Sequence, residues 1–335
     1  MADVAELVTA LGGMAQKQQL VRHGVRDRDL TLAVRRGEVV RVRNGWYSTF
    51  AEADARLRAV RVGGRLTGIS LIAALGGWVL ASSELHVAVP RNAARLRTAH
   101  NRRKRIAVVA PRGVVLHWDG AGSTERGSAT SVPLVDALVR VVLDETPEDA
   151  VAALDWALHT GRLDDTDLAS IVARLPADLQ RIGRWTDASC ESLPESLART
   201  RLRLAGHTVT TQIPLDSERI DLVVDGTVAV EVDGDEFHRD AFERDRAKDA
   251  RVTIAGFHAL RPSARMVFRA WPQVLRAIEA ALAARRSVTP PAVGNSGGRP
   301  PGVRVRPGRP RKRRSGRARD PEFSTNRAGT VHTVA

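Results

Sequence analysis

Two apolar runs on either side of an Asp-Gly dipeptide constrain the fold of this chain more than any other feature. The segment 219–238 reads RIDLVVDGTVAVEVDGDEFH, and the dipeptide at 225–226 separates its two β-type runs. An Asp-Gly dipeptide between two β-type runs is a strong signal for a β-hairpin. Asp221 opens the first run, and Glu231 and Asp233 end the second. The hairpin therefore brings three carboxylates to one end of a sheet.

The three carboxylates of this hairpin need a cation or a shared proton, because like charges at close range repel. Side chains alternate along a strand, so Glu231 and Asp233 share one face. Carboxylates grouped in this way hold Mg²⁺, which polarises a phosphodiester and supplies a hydroxide nucleophile. The sequence predicts a Mg²⁺ site with Asp221, Glu231 and Asp233 as ligands.

Length and charge set the broad class of the protein. A chain of 335 residues has room for two or three domains. Its single cysteine, Cys190, excludes a disulfide framework and a cysteine-based zinc site. The net charge of +14 favours a polyanionic partner such as DNA. The acidic N-terminus and the lack of a long apolar run predict a cytoplasmic protein with no membrane partner.

Residues 1–50 have the order of a winged helix-turn-helix domain. Helices are predicted over 4–11, 16–23 and 28–36, with Asp27 capping the third, and the Asn-Gly pair at 44–45 predicts a hairpin. The third helix and the hairpin carry arginines that we expect to contact DNA phosphates. These are Arg28, Arg35, Arg36, Arg41 and Arg43.

The segments 14–25 and 35–47 resemble the N-terminal winged helix of AbiEi-type antitoxins and regulators. This resemblance implies DNA binding and, for an antitoxin, a toxin partner. The alternative is a small basic domain that packs against its neighbour and binds nothing.

Residues 65–180 read as a mixed α/β region that resembles the middle part of AbiEi-like proteins. Strands are predicted over 85–89, 106–110 and 114–118, and helices over 69–80, 132–143 and 148–159. Three histidines of this region have no carboxylate at triad or ligand spacing, so they are interpreted as structural or surface residues. They are His86, His117 and His159. The basic connector 91–105 is interpreted as a solvated loop, with phosphate contact as the alternative.

Residues 188–285 have the predicted order α-β-β-β-α-β-α, which is that of restriction-endonuclease-like folds. The pattern Asp-X9-Glu-X-Asp resembles the PD-(D/E)XK nuclease signature, Asp-Xn-(Asp/Glu)-X-Lys. Asp233 stands where that signature has its lysine.

The same domain resembles the very-short-patch-repair (Vsr) endonucleases in four segments, which are 193–206, 219–224, 232–238 and 243–257. The resemblance implies a catalytic set of Glu195, Asp221, Glu231, Asp233, His238 and Asp245. In this set Asp221 holds the metal, His238 is the acid or base, and Glu195 and Asp245 orient the site. Asp233 replaces a catalytic histidine of the Vsr enzymes.

Residues 286–335 are rich in proline, glycine and arginine, and we expect them to be disordered. Arg309 and Arg311 flank Pro310 in a segment that resembles an AT-hook, which binds the narrow A·T minor groove. Nonspecific attraction to phosphates is the alternative.

Together these patterns predict a multidomain α/β (α+β) DNA-binding protein with a Mg²⁺-dependent, Vsr-like endonuclease domain. One alternative is an AbiEi-type regulator or antitoxin whose nuclease-like domain is inactive. Another is a nonspecific nucleoid-associated protein whose basic tail holds DNA.

Overall fold

The chain is a mixed α/β protein, and its described residues form three small sheets. The computed structural model describes residues 3–80, 84–107, 113–119, 122–233 and 241–287, with the backbone alone over 241–245. The predictions for Arg309, Arg311 and the tail beyond residue 287 lie outside these residues, whereas residues 286–287 are helical and not part of a disordered tail. No helix within the described ranges is long and apolar enough to cross a bilayer.

The N-terminal part alternates helices with three short strands. Its elements are α1 (Val4–Ala10), β1 (Met14–Gln16), α2 (Lys17–Arg22), α3 (Asp27–Arg35), β2 (Val40–Arg43) and β3 (Trp46–Ser48). The strands form a sheet in the order β1-β3-β2. The three predicted helices and the hairpin are confirmed, and Gly45 in the turn has a φ of 76° that suits glycine. Strand β1 was not predicted, because three residues are too few to show a period.

The start of α3 differs from the prediction by one residue. Arg26, rather than Asp27, is the N-cap, and its backbone N–H donates to the Asp29 carboxylate at 3.1 Å. Asp27 is the first helical residue, and its carboxylate pairs with Lys17 at 2.7 Å on the surface. Exposed pairs of this kind stabilise a fold by about 1 kcal/mol or less.

The middle part packs helices against a second sheet. Its elements are α4 (Ala55–Val62), β4 (Arg65–Leu66), α5 (Gly68–Ala74), β5 (Leu85–Pro90), β6 (Val114–Asp119), α6 (Ser123–Arg126), α7 (Leu134–Asp144), α8 (Pro147–His159), α9 (Asp165–Ala173) and a 3-10 helix (Gln180–Arg184). The sheet has the order β4-β5-β6, with β5 and β6 parallel.

Two predictions for this part need correction. The helix predicted over 69–80 ends at Ala74, because Gly76 takes a left-handed conformation with a φ of 77°. Residues 106–107, at the start of the strand predicted over 106–110, are not in a strand, and 108–112 lie outside the described residues. Strands β5 and β6 confirm the other two strand predictions.

The C-terminal part has a four-stranded sheet between helices. Its elements are α10 (Leu193–Leu204), β7 (Val209–Leu215), β8 (Glu218–Val224), β9 (Val228–Val230), α11 (Ala241–Ile254), β10 (His258–Leu260), α12 (Ala264–Arg269) and α13 (Trp271–Ser287). The order is β10-β9-β8-β7, with β7 to β9 antiparallel and β10 parallel to β9. The predicted succession of elements is confirmed, with α12 as an addition.

The central strands of this sheet are buried on both faces. Leu222, Val224 and Val230 face a core shared with α10 and α13, whereas Val223 and Ala229 face Val252 of α11. The turn between β8 and β9 has φ values of 46° at Asp225 and 70° at Gly226, as a type I′ hairpin requires. The turn and the apolar runs thus fix the register of β8 against β9.

A fully buried ion pair joins the middle part to α10. Arg199 contacts the Asp155 carboxylate, and both side chains are 0% exposed. Asp155 also accepts hydrogen bonds from Ser196 Oγ at 2.5 Å and from the Asp187 backbone N–H at 2.7 Å. The Arg199 guanidinium donates to the Trp185 carbonyl at 2.6 Å. Burial of two charges is tolerated here because each has several partners.

We predict that Asp155→Ala lowers the free energy of unfolding by about 3–5 kcal/mol, because it leaves the Arg199 charge buried without its main partner. Urea denaturation followed by circular dichroism measures this change. The exposed Glu279→Ala variant on α13 is the control and should match the wild type. A loss below about 1 kcal/mol for Asp155→Ala would show that the pair does not hold the junction together.

Candidate functional site

The hairpin carboxylates Asp221 and Glu231 lie together at one end of the C-terminal sheet. Asp221 is in β8, and its Oδ2 accepts a hydrogen bond from the Val232 backbone N–H at 3.0 Å. Glu231 directly follows β9, and its backbone N–H donates to the Leu260 carbonyl at the end of β10, also at 3.0 Å. The two carboxylates therefore lie where the parallel strands β9 and β10 end.

Glu231 is a buried carboxylate with one paired and one unpaired oxygen. Its residue is 3% exposed, and Lys248 Nζ contacts Oε2. The second oxygen, Oε1, is buried and has no hydrogen-bond partner among the described residues. A buried oxygen without a partner is costly, so this atom is available to a ligand that supplies positive charge or a proton.

Lys248 reaches the site because α11 connects β9 to β10 and packs on the sheet. The side chain of Lys248 is 16% exposed, and its ammonium is directed at Glu231. Lys248 therefore does not lie on a solvated face of α11. The contact could not be predicted from the sequence because the two residues are far apart along the chain. The one available signal was the rarity of lysine, which accounts for four of the 52 basic residues.

Burial raises the pKa values of both carboxylates, and the charge of Asp221 adds to the shift at Glu231. Burial, followed by the charge of Asp221, raises the pKa of Glu231 to about 7, and Lys248 and Arg261 oppose this shift. Burial also raises the pKa of Asp221, while the Val232 N–H and Lys248 lower it. At both carboxylates the effect of burial on the pKa thus exceeds the opposing effect of the lysine.

Glu195 lies next to these carboxylates, but both of its carboxylate oxygens accept hydrogen bonds from neighbouring residues in the sequence. Its Oε1 accepts from Ser192 Oγ at 2.6 Å, and its Oε2 accepts from the Glu191 N–H at 3.1 Å. This arrangement caps the start of α10. Burial, with a contribution from the charge of Asp221, raises the pKa of Glu195. Glu195 therefore borders the site and fixes α10 there.

Asp233 faces the guanidinium of Arg261, which directly follows β10. Arg261 Nε lies 3.4 Å from Asp233 Oδ1, and Arg261 Nη1 lies 3.6 Å from Asp249 Oδ1. The Asp233 side chain is 45% exposed, and its backbone N–H donates to the Pro262 carbonyl at 3.2 Å. Arg261 was not singled out from the sequence, since no motif links it to the hairpin.

The described residues bring together Glu195, Asp221, Glu231 and Asp233 around Lys248 and Arg261. His238 lies outside the described residues. The backbone of Asp245 belongs to α11, but its side chain lies outside the described part. The roles of these two residues stay predictions.

A strained residue lies beside Asp221. The register of β7 and β8 places Gln212 opposite Asp221, and Gln212 has a φ of 51°. A left-handed conformation is costly for a residue that is not glycine, asparagine or aspartate, and such residues cluster at functional sites.

Four of the five predicted DNA-contacting arginines in the N-terminal part are exposed. They are Arg28, Arg35, Arg36 and Arg41. Arg43 is half-buried instead, and its Nη1 lies 3.5 Å from the Val60 carbonyl of α4. Burial, with a contribution from Arg97, lowers the pKa of Arg43. Arg43 thus packs against α4, and the exposed basic face consists of the other four.

The connector 91–105 adds positive charge beside this face. Desolvation and the charges of Arg41, Arg103 and Arg61 lower the pKa of Arg102. Such mutual influence places the connector arginines near the hairpin of β2 and β3. Contact between this connector and phosphate stays the alternative to a solvated loop.

A group of three potential metal ligands lies away from the hairpin, in the middle part. Of the residues that the structure describes, His86, His117 and Asp144 have one ligand atom each within 4.8 Å of one another, and the hairpin carboxylates do not form such a group. His86 and His117 thus lie near a carboxylate that their spacing in the sequence does not reveal, because β5 and β6 pair side by side.

Comparison of the chain with models of known protein families and with curated proteins finds no match. The resemblances to AbiEi-type proteins and Vsr endonucleases are therefore proposals that the chain's own geometry must support.

We predict a pKa near 7 for Glu231 in a ¹³C NMR titration of the carboxyl groups. Asp221→Asn should lower this pKa by removing a repelling charge, and Lys248→Met should raise it by removing an attracting one. The folded protein accordingly loses stability as the pH rises from about 4.5 to about 7, because it retains a proton that the unfolded chain has released.

A Glu279→Gln variant serves as the control for this titration and should leave the Glu231 pKa unchanged. A Glu231 pKa near the ordinary value of 4.5, insensitive to Asp221→Asn, would contradict the described coupling.

Proposed function

We propose that the chain binds DNA through its N-terminal part and hydrolyses phosphodiesters at the Asp221–Glu231–Lys248 site. The observation that carries this proposal is the buried, unpartnered Oε1 of Glu231 beside a second carboxylate and a lysine. This combination supplies ligands for a cation and a positive group for a phosphate at one sheet end.

The residues present fit a divalent cation such as Mg²⁺. Asp221 and Glu231 would hold it, because they are adjacent carboxylates and Oε1 of Glu231 has no partner among the described residues. A bound Mg²⁺ would polarise the phosphodiester and lower the pKa of water. Asp233 is a weaker ligand candidate than the sequence implied, since Arg261 faces it at 3.4 Å.

Lys248 takes the place of the basic residue that the sequence lacks at position 233. Its ammonium orients the Glu231 carboxylate and presents positive charge to the phosphate. Arg261 lies 3.4 Å from Asp233 and offsets part of the charge of that carboxylate. Glu195 holds the first turn of α10 against this site through its bonds to Ser192 and Glu191.

The element order supports the finer fold assignments as proposals. The succession α10-β7-β8-β9-α11-β10 and the strand order β10-β9-β8-β7 favour a restriction-endonuclease-like, Vsr-like domain. The N-terminal elements and the sheet β1-β3-β2 favour a winged helix. The proposed domains keep the boundaries 1–50, 65–180 and 188–285.

A second function is favoured by the internal cations of the site. Lys248 contacts Glu231, and Arg261 faces Asp233, so much of the negative charge is already balanced without metal. A domain that has lost turnover would keep such pairs for stability. The chain would then be an AbiEi-type regulator or antitoxin, with a toxin as its partner.

We predict that the protein nicks supercoiled plasmid in Mg²⁺ and that Asp221→Asn or Glu231→Gln lowers the rate at least about 100-fold, as losses of catalytic electrostatics do. Agarose gel electrophoresis of a time course measures the rate. The matched control is Asp216→Asn, an exposed turn residue with a φ of 54° that asparagine tolerates.

Nicking that is equal in the wild type and Asp221→Asn, or absent from both, contradicts the enzyme proposal. Absence of nicking together with a specific gel shift on the gene's upstream region supports the regulator.

We predict that Arg35→Gln with Arg36→Gln weakens binding to duplex DNA and lowers the slope of log Kd against log salt by about 0.9 for each lost phosphate contact. Fluorescence anisotropy of the full chain at several salt concentrations measures this slope. Arg276→Gln with Arg285→Gln, two exposed residues of α13, removes the same charge elsewhere and is the control. Equal slopes in both double variants would show that the N-terminal face does not bind the backbone.

A further inference from the structure

Two histidines and two carboxylates meet between the second sheet and the end of α7. His86 lies in β5, His117 lies in β6, Asp144 is the last residue of α7, and Glu145 is its C-cap. His86 is 8% exposed, and the side chain of His117 is 11% exposed. The proposed phosphodiesterase site uses none of these groups.

The two imidazoles present nitrogens to each other at the spacing of metal ligands. His86 Nδ1 and His117 Nε2 are 3.3 Å apart. A tetrahedral ion about 2.0–2.1 Å from each of two nitrogens separates them by about 3.3 Å. One atom of Asp144 lies within 4.8 Å of a nitrogen of each ring, so a carboxylate completes the group.

The outer nitrogen of His86 has a second carboxylate beside it. His86 Nε2 lies 3.8 Å from Glu145 Oε1, whereas the proposed ligand Asp144 lies on the Nδ1 side of His117, with Oδ2 3.6 Å from that nitrogen. Metal-bound histidines characteristically direct the outer nitrogen at a carboxylate, which fixes the ring and its tautomer. The guanidinium of Arg140 donates to Asp144 at 2.7 Å and holds that carboxylate in place.

The carboxylates occupy a position that disfavours negative charge. Asp144 and Glu145 lie at the C-terminal end of α7, where the helix dipole is negative. Acids at such an end are destabilising unless a cation is near. Arg140 donates to both oxygens of Asp144, and a divalent ion on the histidines would offset the charge of Glu145 when that carboxyl is ionised.

We propose that His86 Nδ1, His117 Nε2 and Asp144 form a binding site for a divalent transition-metal ion of the zinc type. Two imidazoles and one carboxylate suit zinc and its first-row neighbours, whereas Mg²⁺ and Ca²⁺ prefer oxygen ligands alone. The site is independent of Asp221 and Glu231, so it stands or falls apart from the nuclease proposal. It ties β5 and β6 to the end of α7.

The test uses the untagged full-length protein, stripped with EDTA and dialysed against micromolar Zn²⁺ in Mg²⁺-free buffer. Metal content measured by mass spectrometry should be about one zinc per chain. His86→Gln and His117→Gln should abolish this binding, and Glu145→Gln should weaken it about 10- to 100-fold through the lost outer contact. Circular dichroism establishes that each variant is folded.

Two matched variants control for zinc bound elsewhere. His23→Gln changes an exposed histidine, and Asp221→Asn changes the other candidate centre. Both should keep one zinc per chain. A wild type that binds no zinc, or zinc that survives both His86→Gln and His117→Gln, overturns the proposal.

A measurement on the wild type decides the matter if the histidine variants do not fold. The ring signals of His86 and His117 in ¹⁵N NMR should shift in proportion to added Zn²⁺, up to one equivalent. Signals that do not move while the protein is exposed to Zn²⁺ overturn the site.

Discussion

The buried pair between Asp155 and Arg199 is the interaction on which the rest of the C-terminal structure depends. Neither side chain reaches solvent, and the pair fixes α10 against α8 through partners on both sides. Because Glu195 lies one turn before Arg199 on α10, the same contact sets the position of the carboxylate that borders the site. A charged pair in a dry environment tolerates little displacement, so it locates this helix more strictly than apolar packing alone.

The candidate site beside α10 is determined mainly by the charges of its carboxylates and cations. Burial and proximity raise the pKa values of Asp221 and Glu231, and Lys248 and Arg261 offset part of the excess. One oxygen of Glu231 keeps no partner among the described residues. Burial of this oxygen without a hydrogen bond therefore destabilises the fold at the end of β9 and β10. A bound cation would remove this cost by giving the oxygen a partner.

Local patterns predicted most of the fold, and long-range pairing explains what they missed. The Asp225–Gly226 turn and the apolar runs beside it sufficed for β8 and β9, since the turn chemistry and the alternation act within a few residues. Lys248 lies 17 positions after Glu231, and His117 lies 31 positions after His86, so neither contact leaves a periodic trace. Arg43 was assigned to an exposed face because its packing against α4 depends on tertiary contact. The pair of Asp155 and Arg199 could not be predicted either, because it also depends on a tertiary contact between residues far apart in the sequence.

The central claim is that Asp221 and Glu231 share a divalent cation beside Lys248. Crystals grown with Mn²⁺ in place of Mg²⁺ test it most directly, because the anomalous signal of manganese locates the ion without a search. The account predicts one anomalous peak within about 2.2 Å of an Asp221 oxygen and of Glu231 Oε1. Density that shows Lys248 on Glu231, Arg261 on Asp233 and no anomalous peak between the carboxylates would contradict it.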